Sequence, residues 1–265
     1  RLVVGPTGQS VVEGEEIEGV SSSGLEELIE AVEHDGWVVV IDPGHGGVDA
    51  GAVKGEVYEK MLNLNVAYHL EEALKAENIP VVLTRRDDDE VSLQSRVDFA
   101  NKVPKCVFVS VHHNTAPKAE PKGVETYFCP NRPASVVRRQ MAHFNVEDET
   151  AFKDQRSSLL AERVQAALCT MTGAADRGVK EQNFHVIRQT VGPSVLVECG
   201  FLTNDVESAR LLHPDYQRKL GHGIAEGVLR FIEEAREDPH FGVVLPEVNG
   251  TEKQGEIAQS ANSDP

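Results

Sequence analysis

Basic residues are scarce in this chain: 26 Lys and Arg stand against 43 Asp and Glu, a formal charge of -17 over 265 residues. Nucleic acid and anionic lipid surfaces both demand a basic footprint, so neither is expected as the main partner. No apolar run approaches the roughly 18 residues of a membrane-spanning helix, which excludes such a span. The four cysteines, Cys106, Cys129, Cys169 and Cys199, include no CxxC pair, which argues against a structural zinc knuckle. Buried free thiols are the expected state, with a Cys106–Cys129 disulfide across neighbouring strands as the alternative. The chain also lacks an initiator Met and a charged-then-apolar leader. A chain trimmed of its signal peptide starts this way, so the missing leader does not place it in the cytosol.

The acidity that is present sits mostly at the ends. Residues 1–35 hold nine acids against Arg1, and residues 237–265 hold six against Lys253. These flanks read as an acidic N-terminal extension and an acidic, disordered tail around a folded section, 36–236. Within the extension, Gly24–Glu33 places Leu25, Leu28, Ile29 and Val32 at helical spacing.

The folded section alternates strands with helices. Trp37–Ile41, Pro80–Leu83, Val107–Val111 and Val195–Val197 are short apolar runs, the pattern of strands buried on both faces. Between and after them, Glu59–Ala76, Leu93–Ala100, Ser158–Thr170 and Asp215–Ala235 carry apolar residues at helical spacing. This order predicts an α/β layer fold with a mostly parallel sheet. Gly123–Phe128 alternates more and is expected nearer a sheet edge.

Chemistry in such sheets collects at the carboxyl ends of strands. The residues that follow the apolar runs are Asp42-Pro43-Gly44-His45-Gly46-Gly47, His112-His113-Asn114 and Glu198-Cys199-Gly200-Phe201. Glu59 opens the first long helix near the same edge. Two imidazoles and a carboxylate are a standard zinc set that leaves a position for water, and a second carboxylate then serves as proton shuttle. Taken singly, each residue has a plainer reading: a hydrogen-bonded loop histidine, or a glutamate favouring a helix dipole. Glu198 fits such a reading least, because a carboxylate directly after Val195-Leu196-Val197 is costly to bury without a cation or a reaction to use it. The Gly-rich loop lacks both GxGxxG spacing and a P-loop Lys-Ser/Thr, so its glycines are expected to turn the backbone and deliver His45. Strand alternation does not choose between His112 and His113.

The motifs Ile41-Asp42-Pro43-Gly44-His45-Gly46-Gly47 with Gly51-Ala52, Glu59-Lys60, Leu83-Thr84-Arg85, Ser110-Val111-His112-His113-Asn114, Gly123-Val124-Glu125-Thr126, Val186-Ile187-Arg188 and Leu196-Val197-Glu198-Cys199-Gly200-Phe201 occur here in one order. From about Val38 to Ile232 the chain resembles the zinc-dependent N-acetylmuramoyl-L-alanine amidases of the type 3 group, which cut peptidoglycan. The resemblance implies a single three-layer domain with a mostly parallel, roughly six-stranded sheet flanked by helices. It also implies one Zn2+ per chain on His45, Glu59 and His112, with Glu198 as the catalytic carboxylate and His113 outside the ligand set. Asn114 and Arg188 are expected to position substrate or to be structural. Arg85, Arg96 and Asn101 are expected to be scaffold residues that pair with Asp88 or cap helices.

The implied reaction is hydrolysis of the lactyl–L-alanine amide in peptidoglycan or muropeptides, in the cell envelope, periplasmic or secreted, with a protein activator among the expected partners. A zinc-retaining regulatory or wall-binding domain without activity, and another zinc peptidase such as a metallocarboxypeptidase, are the alternatives. Residues Cys129–Ser157 form a longer polar stretch than a minimal member needs. Either it is a surface excursion, or Met141–Phe144 seeds an inserted helix that covers the metal and brings Glu147 or Glu149 to it.

Overall fold

The structure, a computed structural model, describes residues 2–4, 10–12, 36–103, 105–147, 152–238 and 240–244. Its strands are β1 (Leu2–Val4), β2 (Ser10–Val12), β3 (Val38–Pro43), β4 (Val53–Lys54), β5 (Val57–Tyr58), β6 (Val81–Leu83), β7 (Cys106–Asn114), β8 (Val124–Phe128), β9 (Lys153–Asp154), β10 (Asp176–Glu181), β11 (Ser194–Phe201) and β12 (Val243–Val244). Its helices are α1 (Glu59–Ala76), α2 (Leu93–Lys102), α3 (Ala134–His143), α4 (Arg156–Thr172), α5 (His185–Gln189), α6 (Asp205–Leu211) and α7 (Pro214–Glu237). The helix expected at Gly24–Glu33 lies outside the described residues.

Six strands form the main sheet in the order β10-β8-β11-β7-β3-β6. Only the β8–β11 pairing is antiparallel, so β8 and β10 run against the other four strands. All six residues of β3 are buried, as its unbroken apolar run requires. Val39 and Ile41 face a core built with Leu62, Val66 and Leu70 of α1, Leu160 and Val164 of α4, and Ile224 and Val228 of α7. Val38 and Val40 face a second core with Val97 and Phe99 of α2 and Val186 and Ile187 of α5. Each such aliphatic side chain contributes about 1.5–3 kcal/mol on burial. The sheet is thereby the middle of three layers.

Local signals fix the helix ends. Ser92 caps α2 by accepting the Ser95 amide at 3.0 Å. The left-handed Gly173 closes α4, and Pro214 begins α7 behind the capping His213.

From β3 the chain crosses to β6 on one side and then returns to β7 on the other. The carboxyl ends of β3 and β7 therefore diverge around a crevice, the place where such sheets bind ligands. β8 sits one position in from the sheet edge, as its alternating pattern suggested; the edge strand itself is β10.

The stretch after β8 turns away from the crevice. Because β8 runs opposite to β7 and β11, its carboxyl end delivers the chain to the amino ends of the parallel strands. There Gln140 of α3 donates to the Val191 carbonyl at 2.8 Å. A cavity of about 610 Å³ lies at this pole, lined by Trp37, Cys106, Gln140 and Pro193 among others. The helix at Met141 thus forms at the end of the sheet remote from His45 and His112, and Glu147 is exposed there. Glu149 lies outside the described residues. Within the stretch expected as a tail, Val243–Val244 pair with β9. All four cysteines are free.

Candidate active site

The loop between β3 and β4 is held in a conformation that ordinary residues avoid. His45 has a φ of 61° and Gly46 and Gly47 also have positive φ, so the backbone doubles back and aims the imidazole into the crevice. Two buried guanidinium groups clamp this turn through its carbonyls. Arg85 donates from Nε to the Pro43 oxygen and from Nη2 to the Gly44 oxygen, both at 2.9 Å. Arg96 donates to the Pro43 oxygen at 2.8 Å and to the His45 oxygen at 2.7 Å, and pairs with Asp42 at 2.6 Å. Burial works against the Asp42 charge, but Arg96 together with hydrogen bonds from Thr84 and Ser110 holds its carboxyl below the usual range. Both arginines are scaffold residues, as expected, but their partners differ from the expectation: Asp88 instead pairs with Lys60 at 2.6 Å. Asn101 ties α2 to the chain before β11, accepting from the Val191 amide at 2.8 Å.

The β4–β5 hairpin then places Glu59 at the start of α1. Its carboxylate is 5% exposed and almost fully engaged. Oε2 accepts the Ala52 amide at 2.8 Å, and Oε1 accepts the His113 amide at 3.1 Å. His112 Nδ1 lies 3.0 Å and His45 Nε2 3.3 Å from the same Oε1. One donor atom from each of His45, Glu59 and His112 falls within 4.8 Å of the others. Burial opposes the Glu59 charge, yet the hydrogen bonds from His112 and His45 hold its carboxyl far below the usual range. For His45, burial pushes the pKa down, but the Glu59 and Asp49 carboxylates outweigh it and raise it to about 9. The trio thus attracts positive charge.

This arrangement fits a divalent metal ion. Two imidazoles and one carboxylate converge from three elements, and the chain packs too tightly around them for any larger side chain. A Cβ on Gly44 would stand 2.2 Å from the His112 ring, and one on Gly51 would stand 2.6 Å from both Glu59 Oε2 and the His45 ring. Gly44→Ala is accordingly expected to weaken divalent-metal affinity at least about tenfold, measured by titration of the apo protein, because the His112 ring must move.

The neighbouring histidine has another task. His113 points to the opposite face of β7, where its Nδ1 donates to Asn63 Oδ1 at 2.7 Å. Burial pushes it down to about 4, so it is neutral at pH 7. The choice between the two histidines, open from alternation, is set by which face α1 covers. Sequence reasoning missed Asp49, which accepts from His45 Nδ1 at 2.7 Å and so turns Nε2 toward Glu59. Its spacing of four residues after His45 was the available signal.

Glu198 stands beside His112 in the parallel β7–β11 register. Its Oε2 is buried without a hydrogen-bond partner among the described residues. Burial first, then the Glu59 and Glu125 charges, push its pKa well above the ordinary carboxylate value. A cleft of about 450 Å³ joins His45, Asp49, His112 and Glu198 to an apolar wall of Val91, Leu93, Phe184, Val186 and Leu196. Asn114 is turned from the cleft to Glu125, donating at 2.7 Å. Arg188 is exposed on α5 and does not line the cleft.

A metal-sized trio faced by an unpartnered carboxyl at a sheet crevice is a hydrolase arrangement, and the comparisons agree. The N-acetylmuramoyl-L-alanine amidase family model matches residues 39–230. The chain belongs to this family. The Bacillus subtilis protein YqiI is 36% identical over 194 residues, 73% of this chain and 84% of that protein. The N-acetylmuramoyl-L-alanine amidase LytC of the same species is 34% identical over 196 residues, covering 74% of this chain but 36% of the longer relative. Among solved structures, the catalytic domain of CwlV, an N-acetylmuramoyl-L-alanine amidase from Bacillus (Paenibacillus) polymyxa var. colistinus, is similar at 36% identity with a TM-score of 0.62, over 74% of this chain and 98% of that one. The amidase domain seen here is the same three-layer α/β unit.

Proposed function

We propose that this amidase holds one zinc ion on His45, Glu59 and His112 and uses Glu198 as its general base and acid. The reading rests on one observation above all: two of three convergent donors, His45 and His112, line the same cleft as Glu198, whose buried Oε2 has no hydrogen-bond partner among the described residues. When bound, zinc supplies Lewis-acid polarisation of the scissile carbonyl and of water. The residues of the chain do the rest. Glu198 takes a proton from the attacking water as oxygen bonds to the lactyl carbonyl carbon. It then returns the proton to the L-alanine nitrogen as the C–N bond breaks, releasing stem peptide from glycan. Asp49 keeps the His45 ring in the tautomer that leaves Nε2 facing the trio.

Peptidoglycan or its muropeptides are the substrate and the cell envelope is the site of action in this reading. No helix among the described residues is long and apolar enough to cross a membrane. The test is mass spectrometry of products from purified sacculi, with and without chelator. Peptides with free N-terminal L-alanine are expected, falling at least about a hundredfold after metal removal and returning with zinc. Free carboxyl-terminal residues with intact lactyl amides would instead identify a peptidase.

Metal binding has a pH signature. An imidazole must lose its proton to become a ligand, and His45 holds that proton up to about pH 9 in the metal-free protein. Zinc affinity is therefore expected to climb about tenfold per pH unit between pH 7 and 9, as read by competition with a chelating dye. A flat profile across that range would show that the Glu59 and Asp49 carboxylates do not hold the His45 proton in the metal-free protein.

A further inference from the structure

Glu125 of β8 lies directly across from Glu198 in the antiparallel β8–β11 pair, and its side chain is 2% exposed. Four donors converge on it. Asn114 Nδ2 at 2.7 Å and the Tyr127 hydroxyl at 2.5 Å bind Oε1, while Arg177 Nε at 2.6 Å and Lys180 Nζ bind Oε2. Two cations on β10 thus meet one carboxylate on the strand next to that of Glu198.

Arg177 is built to hold its place and still offer an unused edge. Its guanidinium carbon rests 4.7 Å from the centre of the Phe201 ring, and only Nε is spent on Glu125. Among the described residues neither Nη atom has a hydrogen-bond partner. The Arg177 and Lys180 side chains remain 33% and 36% exposed. A planar guanidinium anchored from behind, with two N–H groups free side by side, matches a carboxylate in bidentate geometry.

The chemistry of the substrate says which carboxylate. The carboxyl of the muramoyl lactyl group is consumed in the scissile amide, and its N-acetyl group is neutral. Free carboxylates therefore lie on the peptide side of the bond. Resting on the amidase reading above, we propose that Arg177, with Lys180 beside it, receives a carboxylate of the stem peptide and sets the peptide on the β8–β10 side of Glu198. The glycan then occupies the opposite side of the cleft, toward the start of α2.

The experiment compares two synthetic N-acetylmuramoyl-L-alanyl peptides that differ only in a carboxylate or a carboxamide on the residue after alanine. The zinc-loaded protein is expected to favour the acid at least about tenfold in kcat/KM, a ratio carried by KM. Arg177→Gln should bring the ratio to near one, Lys180→Gln should reduce it partway, and Arg177→Lys should restore part of it. Equal kcat/KM for the two peptides in the native protein overturns the proposal. So does an Arg177→Gln variant whose kcat falls equally on both peptides with the ratio kept, since the cluster then serves only to hold Glu125. A native protein that cleaves neither peptide and also releases no stem peptide from sacculi overturns the amidase reading itself.

Discussion

Glu198→Gln is expected to lower the rate of peptide release from sacculi by about a thousandfold, with zinc content unchanged. The amide keeps the shape of the carboxyl but can neither take a proton from water nor return one to the leaving amine. No hydrogen bond is lost, because Oε2 has no partner among the described residues. The variant also removes a buried group whose charge is disfavoured by Glu59 and Glu125, so its melting temperature should equal or exceed that of the parent. Rates and metal analysis on the same preparation check both halves. A rate within tenfold of the parent would remove Glu198 from the reaction.

The largest effect on stability is expected at Arg96. Its side chain is 3% exposed and that of Asp42 is 1% exposed, so Arg96→Met strands a buried carboxylate with only Thr84 and Ser110 to serve it. Breaking a buried pair in this way costs about 3–5 kcal/mol. The Pro43 and His45 carbonyls lose donors at the same time, which frees the turn that aims His45. Zinc affinity should therefore fall by about ten- to a hundredfold. Denaturant unfolding and metal titration measure the two consequences separately. As a contrast, Arg230→Ala breaks only the exposed pair with Glu226 and should change stability by less than about 1 kcal/mol. Similar losses for the two variants would show that the clamp is not what orders the loop.

The candidate trio and Glu198 could be singled out because each follows an apolar run or opens a periodic helix, and parallel strands bring their carboxyl ends together; preferring His112 to His113 needed the family resemblance, since alternation along β7 leaves the two equal. The span of α1 was legible for the same reason, and its first residue, Glu59, joins the trio. What the pattern could not show depends on contacts across the chain. Arg85 and Arg96 bind backbone carbonyls more than forty residues away, and carbonyls leave no mark in a residue pattern. β10 was missed because Asp176–Glu181 reads DRGVKE, a polar edge strand with no apolar run to betray it. That same strand supplies Arg177 and Lys180, so the unread element is the one that bears on peptide choice. The direction of β8 was hidden as well, since alternation describes faces and says nothing about orientation.

That reversal has a practical side. Sequence spliced in after β8 emerges on the pole away from the catalytic crevice, where added length leaves the reaction geometry untouched. A passenger peptide or surface tether grafted into that arm would ride on a working enzyme, whereas the same graft in the turn after β3 would silence it.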